Sequence, residues 1–517
     1  MGEAMFMEAR ELTPSNYKFA SRLEEMMVFK NARDSYIAKM SAHAEQNEIL
    51  QAQIEMARDN ELVTKIVTKI NKGKNAQVAL KEAETEVVSM LLEVDDEYIK
   101  ERSTDIRDIC KGLMCTLKNI PLNTFDDCPK GTILVAKELM PTDLTTINFE
   151  NVVGFVTKKG GITGHLAILA KNMGVMGAVG VKNVFINSGD YIIIDSDGGK
   201  LIINPDDETK AYYEKKLKER TYEQEKIETN KSLDATTKDG RTMKVYANVT
   251  SVEGIGKAMK NGAVGVGLFR TEFLYARNKR RFPTEDEQTQ VYIKAVKACK
   301  GGILTLRTLD IGGDKDLPYY KFEKEENPFL GRRGIRLSFH MEGIFVTQLR
   351  AMLKASAQGK IEILLPMITS VEEYRRAKEL LGECKNQLRG EGVSFDEDIK
   401  LGVLIETPAA VFVAEELAEI SDFFSIGTND LTQYILAVDR GNENIAHMYD
   451  SLHPAVLRAI KIVIDAGKIH NRPVKMCGEL ASDARAIEML IKMGLEEFSV
   501  AVASIAEIKH TIREVKL

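Results

Sequence analysis

The sequence predicts a multidomain α/β protein, in which a helical bundle and a small α/β domain are followed by a (β/α)8 TIM barrel. Three observations support this fold class. Between Pro14 and Pro121 there is no proline and glycine occurs only twice, while residues that favour helices dominate. Short β-rich runs begin after Gly131. From Met243 onward, strand-like and helical segments alternate over about the length that a (β/α)8 barrel requires.

Composition narrows the class of protein further. The net charge is −6, so no basic bias points to nucleic acid. No apolar run approaches the ~20 residues of a membrane span, and the first residues lack the basic and then apolar pattern of a signal peptide. The six cysteines include no closely spaced pair, which is typical of free thiols. We therefore expect a cytoplasmic protein that inserts in no membrane.

Residues 1–120 are predicted to form the helical region. Apolar residues recur at spacings of three and four, as in Leu23, Met26 and Met27, and the helices are expected to break near Asp59 and at 71–74. The last and longest helix is expected from about 76 to 119. A plain bundle explains these residues most simply, and a docking platform for a protein partner is the alternative.

A small α/β domain is predicted over residues 121–205, with strands at 132–136, 152–157, 191–194 and 201–203. After the second strand, Gly160 and Gly161 precede His165, which would lie in the first turn of a helix. Unpaired N–H groups and the helix dipole stabilise an anion there, and a neutral imidazole is a nucleophile. His165 is thus a candidate to receive a phosphoryl group, although a structural histidine at a helix start is the alternative. Residues 206–239 are predicted to be a charged helical linker.

Residues 240–517 are predicted to form the barrel, and polar residues follow most of its strands. The eight expected strands are 244–249, 264–269, 303–309, 362–367, 401–405, 423–426, 474–476 and 497–500. The carboxyl ends of barrel strands carry the catalytic residues of this fold. Polar or reactive residues occur there after five strands, and they include Arg270, Glu272, Arg307, Asp310, Asp314, Lys315, Glu406, Asn429, Asp430, Cys477 and Glu479.

The types of these residues indicate a ligand. The guanidinium groups of Arg270, Arg307, Arg333 and Arg440 suit phosphate and carboxylate oxygens, so a small phosphorylated acid is expected. A salt bridge is the alternative for any one of them. Glu406 and Asp430 are the hard oxygen ligands that Mg²⁺ prefers. Cys477 is either a buried structural thiol or a proton donor.

Seven motifs carry a resemblance to a known family. They are residues 265–274, 307–315, 326–331, 406–410, 423–434, 437–442 and 476–481. The chain resembles the phosphoenolpyruvate–protein phosphotransferases, Enzyme I of the bacterial sugar phosphotransferase system, over nearly its whole length and in the same domain order.

The resemblance implies a role for each candidate residue. His165 would take the phosphoryl group of phosphoenolpyruvate and pass it to the carrier protein HPr, docked on the helical region. Cys477 would protonate the pyruvate enolate, and Glu406 and Asp430 would hold Mg²⁺. Arg270, Arg307, Arg333, Asn429 and Arg440 would bind the substrate. The histidine domain would have to swing onto the barrel, and the barrel would form a homodimer.

The sequence departs from the family pattern in four places. Ile162 and Gly164 replace an arginine and a serine beside His165. A strand rich in glycine and proline is not found before Glu11, so the histidine domain is expected to lack an edge strand. Family members also continue further after the last barrel strand. These departures leave open a second function, a phosphoenolpyruvate-binding regulatory protein with impaired phosphotransfer. A dikinase or synthase of the same superfamily is a third, but it would need an ATP-binding domain that no segment resembles.

Overall fold

The computed structural model comprises two compact units, Met1–Lys218 and Glu219–Leu517. The structure describes residues 1–7, 12–41, 48–58, 60–93, 97–120, 128–140, 143, 147–159, 170, 175–182, 184–196, 198–277, 281–312, 317, 319–323, 325–442 and 445–517. His165, Ile162 and Gly164 lie outside the described residues, as do Asp314 and Lys315.

Five helices of the first unit pack around their own apolar core. They are α1 (Arg22–Ser41), α2 (Glu48–Arg58), α3 (Asn60–Asn71), α4 (Ala76–Glu93) and α5 (Glu97–Leu117). The break predicted at 71–74 is confirmed, whereas Asp59 lies outside the described residues. The prediction of a single long helix from 76 to 119 is wrong. It is two helices, α4 and α5, which pack against each other so that apolar faces on both are buried.

The small α/β domain is built on a six-stranded sheet in the order β4-β3-β2-β1-β5-β6. Its strands are β1 (Gly2–Met7), β2 (Thr132–Ala136), β3 (Val152–Thr157), β4 (Gly177–Ala178), β5 (Tyr191–Asp195) and β6 (Lys200–Ile203). The four predicted strands are confirmed, and β4 was not predicted. The strand β3 ends two residues before the segment that contains His165.

The prediction that the histidine domain lacks an N-terminal strand is wrong. The strand β1 lies inside the sheet, parallel to β2 and antiparallel to β5. Ala4 is buried there in a cluster with Ile133 and Ile192, and its N–H donates to the Asp190 carbonyl at 2.8 Å. This strand contains no proline and a single glycine, so the composition expected for it gave no signal.

The second unit contains a closed barrel of eight parallel strands. They are β8 (Thr242–Val249), β9 (Val266–Arg270), β10 (Leu304–Arg307), β11 (Ile361–Leu365), β12 (Lys400–Ile405), β13 (Phe424–Ile426), β14 (Val474–Met476) and β15 (Glu497–Ala501). Pairing of β15 with β8 closes the barrel, and the short β7 (Ala235–Thr236) adds antiparallel to β8. All eight predicted strands are confirmed to within a few residues.

The remaining helices follow the strands in the usual alternation. The charged helix α6 (Asp207–Thr229) confirms that the segment predicted as a linker is helical, and this helix has no buried residue. The helices of the barrel are α7 (Val252–Lys260), α8 (Glu272–Arg277), α9 (Glu285–Ala298), α10 (Ile335–His340), α11 (Glu342–Ser356), α12 (Val371–Gly390), α13 (Pro408–Phe412), α14 (Ala414–Ile420), α15 (Thr428–Leu436), α16 (Pro454–Ile469), α17 (Ala484–Met493) and α18 (Ile505–Glu514). Within the described part of the chain, no helix is long and apolar enough to cross a membrane. All six cysteines are buried, and none of them forms a disulfide.

Polar side chains fill one end of the barrel interior. Lys475, the central residue of β14, is buried and forms an ion pair with Glu362, the second residue of β11. Thr305 donates to the same carboxylate at 2.9 Å. Above this pair lies an apolar layer that contains Leu364, Leu404 and Cys477. A packed interior of this kind fixes the strands, and it leaves the carboxyl ends as the place for chemistry.

The place of β1 in the sheet can be tested with Ala4→Pro. Proline removes the N–H that donates to Asp190, and a central strand does not tolerate that loss. We expect the variant to lose ~3 kcal/mol or more of the stability of this domain, measured as faster amide exchange in β2 and β5. The exposed neighbour Glu3, changed to glutamine, is the control. Unchanged exchange in Ala4→Pro would show that β1 is dispensable.

Candidate active site

The site forms where the parallel register aligns the carboxyl ends of the strands. Arg270 pairs with Arg307 across β9 and β10. Ile405, Ile426 and Met476 lie in register across β12, β13 and β14, so the residues that follow them project from one end of the barrel. Those residues are Glu406, Gly427 and Cys477. The structure therefore brings together the side chains that the sequence placed after separate strands.

Arg307 is a buried cation held by two carboxylates. Its Nη2 donates to Glu272 Oε1 at 2.9 Å, and its Nη1 lies 2.9 Å from Asp310 Oδ2. Glu272 Oε1 also accepts the backbone N–H of Asp310 at 3.1 Å. Burial lowers the pKa of Arg307, but these carboxylates outweigh burial and raise it overall, so the guanidinium stays charged.

Arg333 continues the same ionic network. Its Nη2 lies 3.1 Å from Asp310 Oδ2 and its Nη1 lies 3.3 Å from Asp430 Oδ1. Burial again lowers the pKa, and the two carboxylates raise it overall. The chain turns sharply after Arg333, because Gly334 has a φ of 57° and a Cβ there would lie 2.8 Å from the Met367 Cβ. Glycine at this position lets the arginine approach the ends of β11 and β12.

Glu406 is a buried carboxyl group of the site whose pKa is raised. It is 2% exposed, and one oxygen accepts the Met367 N–H at 2.7 Å. Burial, with the negative charges of Asp430 and Asp310, raises its pKa to about 8, against the opposing effect of Arg307 and Arg333. A cation bound beside Glu406 would offset the repulsion between Glu406 and Asp430, so the position favours cation binding.

These two carboxylates fit Mg²⁺ only with help from a ligand. Among the described residues, no group of three or more His, Cys, Asp or Glu is arranged to hold a metal. Mg²⁺ usually takes one or two protein carboxylates and completes its shell with water and substrate phosphate oxygens. Glu406 and Asp430 supply two carboxylates and leave the other positions around the ion for water and substrate oxygens.

Asn429 and Arg440 occupy the rim of the site. The Asn429 amide exchanges two hydrogen bonds with Glu479, at 3.1 and 2.8 Å, which orients the amide. The backbone carbonyl of Asn429 accepts a hydrogen bond from the Tyr449 hydroxyl at 3.1 Å. Arg440 is exposed, and its backbone N–H donates to Gln433 on α15 at 3.2 Å. An exposed guanidinium at this rim can meet an incoming anion without first leaving a buried partner.

Cys477 lies inside the barrel below the arginines. It is buried beside Leu364 and Leu404, and its backbone N–H donates to the Ile426 carbonyl at 3.0 Å. Burial raises the pKa of the thiol, with a further contribution from Glu406. The thiol therefore keeps its proton at neutral pH, which is the state a proton donor requires. Arg270, exposed at the end of β9, is near enough to influence the same thiol electrostatically.

Two carboxylates have a larger part in the site than the sequence indicated. Glu272 and Asp310 were noted at the strand exits without a role, yet they hold Arg307 and align Arg333. The signal that could have identified them is the spacing, since each acid follows an arginine of the site by two or three residues. The His165 part of the site lies outside the described residues.

The site agrees with comparisons to known proteins. Three sequence families match consecutive parts of the chain, and all describe phosphoenolpyruvate-utilising enzymes. The N-terminal family matches residues 1–102, the mobile-domain family 128–199 and the PEP-binding-domain family 224–517. The chain is thus an enzyme of the phosphoenolpyruvate-utilising class.

Curated relatives narrow this class to one family. The chain is 44% identical to the phosphoenolpyruvate-protein phosphotransferase of Haemophilus influenzae, over 92% of this chain and 84% of that protein. The enzyme of the same name from Buchnera aphidicola subsp. Schizaphis graminum is 43% identical, over 90% and 82% of the two chains. That of Priestia megaterium is 41% identical over the same shares. The chain belongs to the phosphoenolpyruvate–protein phosphotransferase family, as its motifs predicted.

The perturbed carboxyl of Glu406 predicts a pH dependence of stability. Its pKa is raised from 4.5 to about 8, so its contribution to stability is fully present below about 4.5 and is lost as pH rises towards 8. We expect the free energy of unfolding of wild type, relative to Glu406→Gln, to fall between about pH 5 and 8 in metal-free buffer. Denaturant unfolding at several pH values measures it.

The matched control for this prediction is Glu323→Gln, because the Glu323 side chain is exposed and pairs with Arg332 on the surface. The difference in free energy of unfolding between wild type and Glu323→Gln should not fall between about pH 5 and 8. A Glu406→Gln difference that stays constant from pH 5 to 8, or rises, would contradict a raised pKa.

Proposed function

We propose that the enzyme transfers the phosphoryl group of phosphoenolpyruvate to His165 and releases pyruvate. The observation that supports this most directly is the buried ionic network at the barrel exit, in which Arg307 and Arg333 share Asp310. Two buried guanidinium forks and an exposed one in Arg440 suit the phosphate and carboxylate oxygens of a small phosphorylated acid. The names of the relatives supply the identity of that acid.

The residues have separate roles in this proposal. Arg270, Arg307, Arg333, Arg440 and Asn429 bind the phosphate and carboxylate groups. Glu406 and Asp430 hold Mg²⁺, which offsets charge on the transferring group when it is bound. Because the transferred phosphoryl group requires little covalent help, binding and charge compensation by these side chains supply most of the catalysis.

The chemical step forms one bond and breaks another. A neutral nitrogen of His165 attacks the phosphorus, and the bond between phosphorus and the enol oxygen breaks. The electron pair stays on the enol oxygen as the enolate of pyruvate. Cys477 then donates its proton to the methylene carbon, a role supported by the buried, protonated thiol. Solvent returns the proton to the thiolate before the next turnover.

The phosphohistidine then passes its phosphoryl group to HPr in the sugar phosphotransferase system. The five-helix bundle within residues 1–120 is the proposed docking platform, and its own apolar core supports this by making it a rigid surface. We also propose a homodimer through the barrel. Phe412, Ile462 and Ile469 are large apolar side chains exposed on α13 and α16, which suits an interface. The proposed domains are 1–120, 121–205, 206–239 and 240–517, except that β1 belongs to the sheet of the second domain. The protein is proposed to be cytoplasmic.

A regulatory protein that binds phosphoenolpyruvate without transfer is the second candidate. The replacements Ile162 and Gly164 beside His165 favour it, because they remove a guanidinium and a hydroxyl from the expected motif. The barrel network does not distinguish the two candidates, since both bind the same acid.

Transfer of ³²P from phosphoenolpyruvate to the full chain with Mg²⁺ separates them. We expect acid-labile, base-stable label on wild type and none on His165→Ala, because the imidazole is the acceptor. His470→Ala is the control. His470 caps the C-terminus of α16, just before β14 begins, and it therefore lies at the opposite end of the barrel from the site. An unlabelled wild-type chain that still binds phosphoenolpyruvate would support the regulatory protein instead.

A further inference from the structure

Gln348 is a fully buried amide behind the site, in the middle of helix α11. Its Oε1 accepts the backbone N–H of Leu309 at 2.9 Å. Its Nε2 donates to the Thr271 hydroxyl at 3.0 Å and to the Tyr292 hydroxyl at 3.3 Å. The amide orientation is fixed, because a backbone N–H can only donate and so the oxygen must face Leu309.

The partners of Gln348 adjoin the residues of the site. Thr271 lies between Arg270 and Glu272, and its hydroxyl donates to the Arg307 carbonyl at 2.9 Å. Leu309 immediately precedes Asp310. One buried amide thus connects the exit of β9 to the exit of β10, the two segments that carry the first half of the ionic network.

We infer that Gln348 is a positioning residue for the phosphoenolpyruvate site. It acts through Thr271 and Leu309 and touches no reacting atom. Glu272 also connects the two exits, through the Arg307 guanidinium and the Asp310 backbone N–H, but it pairs with a guanidinium that is proposed to serve the ligand as well. Gln348 instead holds the Leu309 backbone N–H and the Thr271 hydroxyl, and neither of these groups is a proposed ligand contact. Reacting groups displaced by about 1 Å can lose up to about 100-fold in rate, so this connection affects turnover.

The inference rests on the proposed function, and its test uses the full chain. Gln348→Met keeps a similar volume in a helix but removes the hydrogen bonds of the amide. Thr271→Val removes the hydroxyl that lies between the Gln348 amide and the Arg307 carbonyl, whereas Thr271→Ser keeps a hydroxyl there. Ser356→Ala is the control on the same helix. Ser356 is also buried, and its hydroxyl accepts the Asp396 N–H at 2.8 Å in the loop before β12, away from the strand exits.

Single-turnover labelling of His165 with ³²P-phosphoenolpyruvate gives the rate of transfer, and its concentration dependence separates rate from affinity. We expect Gln348→Met and Thr271→Val each to slow transfer by about 10-fold to 100-fold at saturating substrate. The double variant should lose little more than either single variant, because the two side chains act as one connection. Thr271→Ser should regain most of the rate, and Ser356→Ala should lose thermal stability without slowing transfer.

Several results would overturn the inference. They are a folded Gln348→Met or Thr271→Val chain whose transfer rate is within about twofold of wild type, additive losses in the double variant, or an equal loss in Ser356→Ala. If Gln348→Met does not fold, the Thr271→Val and Thr271→Ser pair decides by the same criteria. Failure of wild type itself to become labelled would refute the proposed phosphotransfer, which is a distinguishable result.

Discussion

Asp310 is shared by two buried guanidinium groups, and the geometry of the site depends on this sharing. Arg307 and Arg333 come from different segments, and neither could remain buried and charged without an anion within hydrogen-bonding distance. Glu272 and Asp430 complete an alternating series of negative and positive side chains. Because a buried charge is costly when one partner is lost, each member fixes the position of the next. The barrel supplies the rigid strand ends that make this possible.

The same network suits a ligand that carries two anionic groups, a phosphate and a carboxylate. The guanidinium groups are already ordered by carboxylates, so little conformational entropy remains to be lost when a phosphate or carboxylate oxygen arrives. Glu406 limits the negative charge of the site, since its pKa of about 8 keeps it largely protonated near neutral pH in the absence of a cation. A divalent cation at Glu406 and Asp430 would neutralise the excess negative charge that the substrate brings. The site is therefore suited to bind anion and cation together.

The sequence predicted the barrel well, because its strands are buried runs and their polar exits follow a simple rule. Both β9 and β12 were identified in this way together with Arg270 and Glu406. The strand β1 was missed, because its register is set by β2 and β5, more than a hundred residues away in the chain. The division between α4 and α5 was missed because helix-forming residues continue through it. Gln348 was missed as well, since a single polar residue in a helix looks like a surface position until its partners are known.

In the proposed function, Arg333 acts as a fork that spans two carboxylates and the ligand, and not only as a positive charge. The most direct measurement is the Kd of phosphoenolpyruvate with Mg²⁺ by calorimetry, in a His165→Ala background that prevents turnover. Arg333→Lys keeps the charge but loses the fork, so we predict affinity at least about 10-fold weaker. The neighbouring Arg332→Lys, whose side chain is exposed, should bind as the background does. Equal affinity for Arg333→Lys and Arg332→Lys would contradict this account.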